Sequence, residues 1–382
     1  MSQNSVFTAE HEMFRETCHR FYEKEIEPYY KEWEAAGKGT PPELWKKAGE
    51  LGLVGMGVPE EYGGPGGDFL FNLIQTEELG RFVGGASVGA AINTDIMTHI
   101  LVNFGTHEQK QRWCPGILTG EWRQAMGLTE PGAGSDLSTL ASRARRDGDD
   151  YLINGNKIYM SSGAEASLLY IIAKTDNDVK GSRNDMTMFV VETETPGVEI
   201  RRMPTMGMRA AGIGECFLED VRVPASHMLG EEGQALRKNL MSTFAFDRAI
   251  ISARAQATAE LAFDLTLDFV KSRKVGQQKV IDFQNTQLRL GEMKAELVAG
   301  RAFRDYLMQE TAAGRLNIIT AASAKLWFSE MEARVIDKCL QLHGGFGYME
   351  ESAISRLYTY ARVETIYGGT SEIQKLMIAK QL

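Results

Sequence analysis

Asp247 and Arg248 stand side by side in STFAFDRAIISARAQ, residues 242–256, a stretch whose other residues are mostly apolar and helix-forming. A charge in such a run is costly unless it is paired with an opposite charge or used in chemistry. A desolvated carboxylate has a raised pKa and can act as a general base on a carbon acid. The pair could be a helix cap, a solvated face of the helix, or a working carboxylate.

Two glycine-rich segments are the other places where the chain could bind a ligand. MGLTEPGAGSDLS, residues 126–138, holds Gly132, Ala133 and Gly134 in a row, and LHGGFGYMEES occupies residues 342–352. Small residues let backbone N–H groups approach a ligand closely, often an anionic one. Neither segment matches the P-loop or the dinucleotide fingerprint. Taken alone, each is explained as well by a tight turn as by a binding loop.

The elements that must position these segments change in character along the chain. Residues 1–125 carry apolar side chains at helical spacing, as in HEMFRETCHRFYEKE, which predicts an N-terminal helical domain. Residues 126–230 hold short β-type runs such as DYLINGNKIYM, LLYIIAKT and MTMFVVETE, which predict a middle β domain. Residues 231–382 return to long amphipathic segments, which predict a C-terminal helical bundle.

Composition narrows the class of protein. The chain has 382 residues and a formal net charge of −9, which argues against a nucleic-acid or anionic-membrane partner. It holds no run of about 18 apolar residues that would span a membrane, and its polar first residues lack the core of a secretory signal. The four cysteines and six histidines are scattered without metal-binding spacing. We therefore expect reduced thiols, no metal centre and a cytoplasmic location.

Five motifs in order resemble the acyl-CoA dehydrogenase family: GLTEPGAGSD, INGNKIYMSSG, SRKVGQQKVIDFQ, CLQLHGGFGY and IYGGTSEIQ. The resemblance covers essentially the whole chain and is nearest to the long-chain and isovaleryl-CoA dehydrogenase branch. It implies an α+β, mainly α fold with an N-terminal helical domain, a middle β-barrel or sandwich domain and a C-terminal four-helix bundle. It also implies FAD bound in the crevice between these domains, in a homotetramer or homodimer.

The reaction implied by the resemblance is α,β-dehydrogenation of an acyl-CoA thioester to the trans-2-enoyl-CoA, as in fatty-acid β-oxidation. A carboxylate removes the α-proton, the β-hydride passes to flavin N5, and electrons leave through an electron-transferring flavoprotein. Three other functions stay open. They are a flavin oxidase acting on a nitroalkane-like carbon acid, a dehydrogenase of acyl-carrier-protein thioesters, and a flavoprotein that kept the fold without catalysis.

The resemblance implies two groups of FAD contacts, each with a loop or packing role as the alternative. At the flavin ring, Tyr159 stands where the family commonly has tryptophan, and Ser161 replaces the threonine whose hydroxyl reaches N5. The pyrimidine edge and the adjoining loop are implied to involve Met126, Leu128, Thr129 and Ser135, the last also serving the acyl-CoA. The second group, which in the family includes contacts made across the dimer, comprises Arg273, Gln284, Gln341, Gly344, Gly345, Thr370 and Glu372.

The position of the base departs from much of the family. Many members place the catalytic glutamate in an IYEGT segment, which here reads IYGGT with Gly368 at that position. The long-chain and isovaleryl branch instead places a glutamate before an arginine on a bundle helix, and this pair aligns with Asp247 and Arg248. The resemblance thus implies Asp247 as base, the Gly368 N–H as a donor to the thioester carbonyl, and Arg248 and Gly369 near the substrate.

Asp247 is one methylene shorter than that glutamate, which shortens its reach by about 1.3–1.5 Å. A misplacement of about 1 Å can lower a rate roughly 100-fold. Three interpretations follow from the residue type. The helix lies closer to the substrate and Asp247 is competent, the activity is reduced or directed at another carbon acid, or Asp247 is only a cap or an ion-pair partner.

Overall fold

The computed structural model describes residues 6–92, 95–175 and 185–382. The N-terminal part of the chain is helical. Thr8 caps the first helix by accepting a hydrogen bond from the backbone of His11, and Asp68 caps the fourth through the N–H of Leu70. The helices are α1 (Ala9–Glu25), α2 (Tyr30–Ala36), α3 (Pro42–Glu50), α4 (Phe69–Gly80), α5 (Val83–Ile92), α6 (Asp95–Phe104) and α7 (His107–Leu118).

The middle of the chain forms a seven-stranded sheet whose centre is β4, LLYIIAKT, in which the first six residues are apolar. Its residues are buried along their whole length, because β4 pairs in parallel with β1 and β2 and antiparallel with β5. The strands are β1 (Gln124–Gly127), β2 (Arg143–Asp147), β3 (Asp150–Met160), β4 (Leu168–Thr175), β5 (Met186–Glu192), β6 (Val198–Arg202) and β7 (Gly214–Pro224).

The C-terminal part is a helical bundle built around two long helices that pack against each other. A π-helical turn at Ala235–Leu240 leads into the first of them, and Asn317 caps the other by accepting from two backbone N–H groups. The helices are α8 (Met241–Ser272), α9 (Gln284–Ala312), α10 (Ile318–His343), α11 (Ala353–Glu364) and α12 (Ser371–Ala379); a hairpin of β8 (Lys274–Val275) and β9 (Gln278–Lys279) follows α8.

Helix α8 positions the candidate site because it lies between the bundle and the N-terminal helices. It packs against α10, α9 and α11 of the bundle and against α4 of the N-terminal part. The mainly helical α+β architecture expected from the sequence is confirmed. Within the described ranges, no helix combines the length and apolar character needed to cross a bilayer.

Candidate functional site

The Asp247 carboxylate lies inside α8 and is bound to nothing that the structure describes. It is partly buried and has no hydrogen bond or ion pair with a described residue. Burial raises the pKa of its carboxyl, against the opposing charges of Arg248, Arg254 and Lys325. Arg254 instead pairs with Glu364 at 3.0 Å. Asp247 therefore does not cap α8, and it lies outside ion-pair distance of Arg248 and Arg254, although both charges act on it.

Asp247 and Gly368 are far apart in sequence but adjacent in space. A Cβ atom built on Gly368 would lie 3.1 Å from Asp247 Oδ2 and 2.5 Å from Ile251 Cδ1. The φ of Gly368 is +61°, a left-handed conformation that favours glycine. The carboxylate on the bundle helix therefore borders the space that a side chain at position 368 would enter.

The backbone of the Gly368–Gly369 pair is held by its carbonyl groups. Gln374 Nε2 donates to Gly368 O at 3.0 Å and to Gly369 O at 2.8 Å, and Lys325 Nζ donates to Gly369 O at 2.8 Å. Neither glycine N–H has an acceptor among the described residues. Two backbone donors beside a carboxylate fit a carbonyl that gains negative charge as its α-proton leaves.

Arg248 is buried beside this pair with much of its hydrogen-bonding capacity unused. Its Nε and Nη1 atoms have no partner among the described residues, and its Nη2 lies 3.4 Å from the sulfur of Met377. Its guanidinium also lies over the ring of Phe244, 5.6 Å from the centroid. A Cβ atom built on Gly369 would lie 3.8 Å from Arg248 Nη2. Burial lowers the pKa of Arg248, and neighbouring Asp247 opposes that effect.

The residues implied at the flavin ring come together at the meeting of β1 and β3. The backbone N–H of Ile158 donates to Thr129 O at 2.9 Å, which joins the segment containing Met126 and Leu128 to the segment containing Tyr159 and Ser161. Tyr159 has a φ of +59° and is 64 % exposed. A large aromatic residue held in a left-handed conformation outside the core offers a surface for a flat ring.

The loop after β1 leaves its glycines open and ties its other residues into turns. A Cβ on Gly132 or Gly134 would meet nothing within 4 Å, whereas Asp136 Oδ1 accepts from both the backbone and the hydroxyl of Ser138. Ser135 is exposed in this loop. The loop therefore combines a tight turn with open space at its glycines.

The second group of implied FAD contacts is split between two places. Thr370 accepts from the N–H of Ile373 and caps α12, and Glu372 lies exposed in the first turn of that helix. The others lie around the far end of α8, where the Phe269 ring stacks on the His343 ring with centroids 4.3 Å apart. This distal set, exposed throughout, is Arg273, Gln284, Gln341, Gly344 and Gly345.

Within one chain the distal set cannot join Asp247. Arg273 follows Asp247 by 26 residues, and an α-helix rises 1.5 Å per residue, so about 39 Å separates them along α8. Sequence patterns give the type of each residue but not this separation. Asp247 and the distal set therefore lie at well-separated places within one chain.

The residues present fit FAD. Tyr159 offers the exposed aromatic surface for a flat ring, and the open backbone at Gly344 and Gly345 leaves room for a close approach. Near Gly369, Ser371 Oγ and Gln374 Oε1 are buried without a partner among the described residues. Buried polar atoms are nearly always hydrogen-bonded, so a polar ligand such as a ribityl chain fits there. The described residues contain no cluster of histidine, cysteine, aspartate and glutamate side chains that could hold a metal ion.

Sequence reasoning missed Lys325 and Gln374. Both are fully buried, and both bind the carbonyls of the glycine pair. The signal was present for Lys325, because it stands in the apolar helical run ITAASAKLWF just as Asp247 stands in its own run. Gln374 carried no comparable signal, since a glutamine in a short terminal helix is ordinary.

The chain is similar to known proteins along nearly its whole length. The N-terminal, middle and C-terminal domain models of acyl-CoA dehydrogenase match residues 8–121, 125–221 and 237–382. The long-chain specific acyl-CoA dehydrogenase of Rattus norvegicus mitochondria is 38% identical over 99% of this chain and 87% of its own. The crystal structure of acyl-CoA dehydrogenase from Geobacillus kaustophilus superposes with a TM-score of 0.94 at 40% identity, covering 98% of both chains.

A further solved structure bears on the cofactor. Glutaryl-CoA dehydrogenase from Mycobacterium smegmatis, in complex with FADH2, has a TM-score of 0.89 at 26% identity, covering 100% of this chain and 96% of its own. The full-length matches and the three domain models lead to one assignment. The chain belongs to the acyl-CoA dehydrogenase family of FAD-dependent oxidoreductases.

Proposed function

We propose that the protein dehydrogenates an acyl-CoA thioester to the trans-2-enoyl-CoA with Asp247 as the base. The observation that carries this proposal is the 3.1 Å between Asp247 Oδ2 and a Cβ atom built on Gly368. In much of the family the catalytic glutamate occupies the position of Gly368, so an aspartate on α8 reaches the space that this glutamate's stem would enter. The shorter side chain of Asp247 is thereby offset by where its helix lies.

The chain's own residues account for proton removal. The Asp247 carboxylate is free of partners and desolvated, so its raised pKa makes it a stronger base than an exposed aspartate. The free N–H of Gly368 is placed to bind the thioester carbonyl as charge develops on its oxygen. Arg248 adds a buried positive charge near the same loop. FAD, when bound, supplies the acceptor for the hydride from the β-carbon.

Residues in two regions would hold FAD. Met126, Leu128, Thr129, Ser135, Tyr159 and Ser161 of one protomer would meet the flavin end, with Thr370 and Glu372 at the start of α12. The distal set of a second protomer would meet the diphosphate and adenosine. The separation of about 39 Å along α8 supports a homodimer or homotetramer, because one copy cannot supply both groups.

The substrate class follows from the wall of the pocket next to the base. A glycine at position 368 leaves space beside the α-carbon that a glutamate would fill, which favours a medium, long or branched acyl chain. An electron-transferring flavoprotein would reoxidise the enzyme, as the family resemblance implies, and β-oxidation of fatty acids is the matching process.

The experiment is anaerobic mixing of the purified holoenzyme with short, medium, long and branched acyl-CoA thioesters. Flavin absorbance is followed for the wild type, Asp247→Asn and the control Asp268→Asn, an exposed aspartate on the same helix. We expect the wild type and the control to bleach with one class of chain. Asp247→Asn should be slower by about 100-fold or more, the usual contribution of a general base.

Other outcomes assign the protein differently. Equal bleaching of the wild type and Asp247→Asn would remove Asp247 from the mechanism. If no acyl-CoA bleaches the wild type, nitroalkanes and acyl-carrier-protein thioesters are tested next. Oxygen consumption with hydrogen peroxide release would identify an oxidase.

A further inference from the structure

Lys325 is a buried cation that the proton-transfer step leaves unused. It lies on α10, is fully buried, and its Nζ donates to the carbonyl oxygen of Gly369 at 2.8 Å. It makes no ion pair with a described residue. Burying an ammonium group outside ion-pair distance of a carboxylate is costly, so its position beside the candidate site needs an explanation.

The carbonyl bonds of the glycine pair bear on how its backbone is oriented. All described peptide bonds here are trans, so each N–H points away from the carbonyl of the same peptide unit. Gln374 binds the carbonyl of Gly368, and this turns the N–H of Gly369 to the opposite side. Lys325 and Gln374 both bind the next carbonyl, that of Gly369, and so anchor the pair on its C-terminal side. The pair has φ values of +61° and +89°, in a region open mainly to glycine, so the chain needs such anchors to hold one arrangement.

We propose that Lys325 is a positioning residue for dehydrogenation: by binding Gly369 O it holds the Gly368–Gly369 backbone in the arrangement that binds the thioester oxygen, and its charge favours the negative charge that develops there. This inference rests on the proposed function. Lys325 acts through the loop and does not touch the substrate.

The charges that face Lys325 make the effect depend on pH. Glu364 on α11, Asp247 and Arg248 on α8, and Glu372 on α12 surround it. Burial lowers the pKa of Lys325 to about 8, against the raising effect of Glu364 and Asp247. A lysine with this pKa is charged below about pH 8 and loses its charge above it. The rate of flavin reduction should therefore fall as the pH rises through about 8.

The test compares Lys325→Met, Lys325→Arg and the control Lys338→Met, whose lysine lies on the same helix and pairs with Glu292 at the surface. Each holoenzyme is mixed anaerobically with the acyl-CoA that bleaches the wild type fastest. We expect Lys325→Met to lower the saturating rate about 10-fold or more, less than removal of a direct oxyanion donor. Lys325→Arg should recover most of that rate and remove its fall above about pH 8.

A binding measurement separates positioning from general damage. An S-alkyl-CoA thioether lacks the carbonyl oxygen, whereas the enoyl-CoA product has it. We expect Lys325→Met to bind the thioether like the wild type and the enoyl-CoA more weakly. Equal loss for both ligands, or an unchanged rate, would overturn the proposal.

Two further comparisons keep the test decisive. If Lys325→Met does not fold, the pH dependence of flavin reduction is compared between Lys325→Arg and the wild type. The same fall in rate above about pH 8 in both proteins overturns the proposal. Failure of the proposed function is recognised separately, because the wild type would then not bleach, or Asp247→Asn would bleach at the wild-type rate.

Discussion

Two carboxylates in motif regions have opposite surroundings. Glu130, in the loop after β1, accepts from the N–H groups of Ala141 at 2.5 Å and Ser142 at 3.1 Å and from Lys157 Nζ at 2.6 Å. These bonds outweigh burial and lower its pKa. Asp247, on α8, has no such bond among the described residues, and burial raises its pKa.

The difference separates a structural carboxylate from a chemical one. Glu130 already accepts three hydrogen bonds, so it has little capacity left to take a proton, and it stabilises the loop that carries Thr129. Asp247 has its lone pairs free, so it can take a proton. The lack of bonding partners for a buried carboxylate costs the fold some stability.

The largest effect on stability should come from breaking the pair of Glu130 and Lys157. Lys157→Met leaves a buried carboxylate without its cation, which costs about 3–5 kcal/mol in the free energy of unfolding. The matched control is Lys238→Met, because Lys238 also lies 2.6 Å from a glutamate, Glu231, but at the surface. Its cost should be below about 1 kcal/mol. The free energy of unfolding of both variants is measured by urea denaturation. Equal losses in the two variants would refute the structural role of Glu130.

Moving the carboxylate across the pocket should restore part of the activity. Asp247→Ala removes the base, and the double variant Asp247→Ala with Gly368→Glu places one where much of the family has it. We expect the double variant to reduce the flavin about 100-fold faster than Asp247→Ala alone, within the usual range for a general base. Stopped-flow absorbance measures this. Recovery below twofold would mean that the two positions do not reach the same α-carbon.

Adding only a methyl group at Gly368 should affect both stability and rate. Gly368→Ala forces alanine into a left-handed conformation and brings its Cβ to 2.5 Å from Ile251 Cδ1. Gly314→Ala is the control, since Gly314 has a φ of +65° with nothing within 4 Å. The control should lose about 1 kcal/mol of unfolding free energy from backbone strain alone, and Gly368→Ala about 2 kcal/mol. Only Gly368→Ala should also slow flavin reduction; a normal rate would argue against the tight fit beside Asp247.

The smallest expected effect is on the pH dependence of stability, where the two carboxylates should act in opposite directions. Glu130 has a lowered pKa, so its contribution is complete above its ordinary value of 4.5 and is lost as the pH falls further. Asp247 has a raised pKa, so it disfavours folding increasingly as the pH rises above its ordinary 3.8. The measurement is the free energy of unfolding in urea at several pH values. The value for Glu130→Gln should approach that of the wild type in acid. The value for Asp247→Asn should rise relative to the wild type as the pH increases toward neutral. Parallel curves for both variants would contradict these assignments.

Local patterns predicted the strands that carry apolar runs. DYLINGNKIYM and LLYIIAKT became β3 and β4 over the same residues, because their isoleucine, leucine and tyrosine side chains suit both strand preference and burial. The pattern missed β2, RARRD, in which only Ala144 is buried. These residues form a strand because they pair with β3 and β4. The five residue types by themselves do not predict that pairing.

The sequence by itself determined the family, the order of its segments and the two positions that matter most, an aspartate in an apolar helical run and a glycine where a base is common. The tertiary structure decided that Asp247 borders Gly368, that Glu130 is fully bonded, and that Lys325 and Gln374 hold the glycine pair. The physical reason is that the pKa and the hydrogen-bond partners of a buried group depend on what packs around it, and those neighbours come from segments distant in the chain.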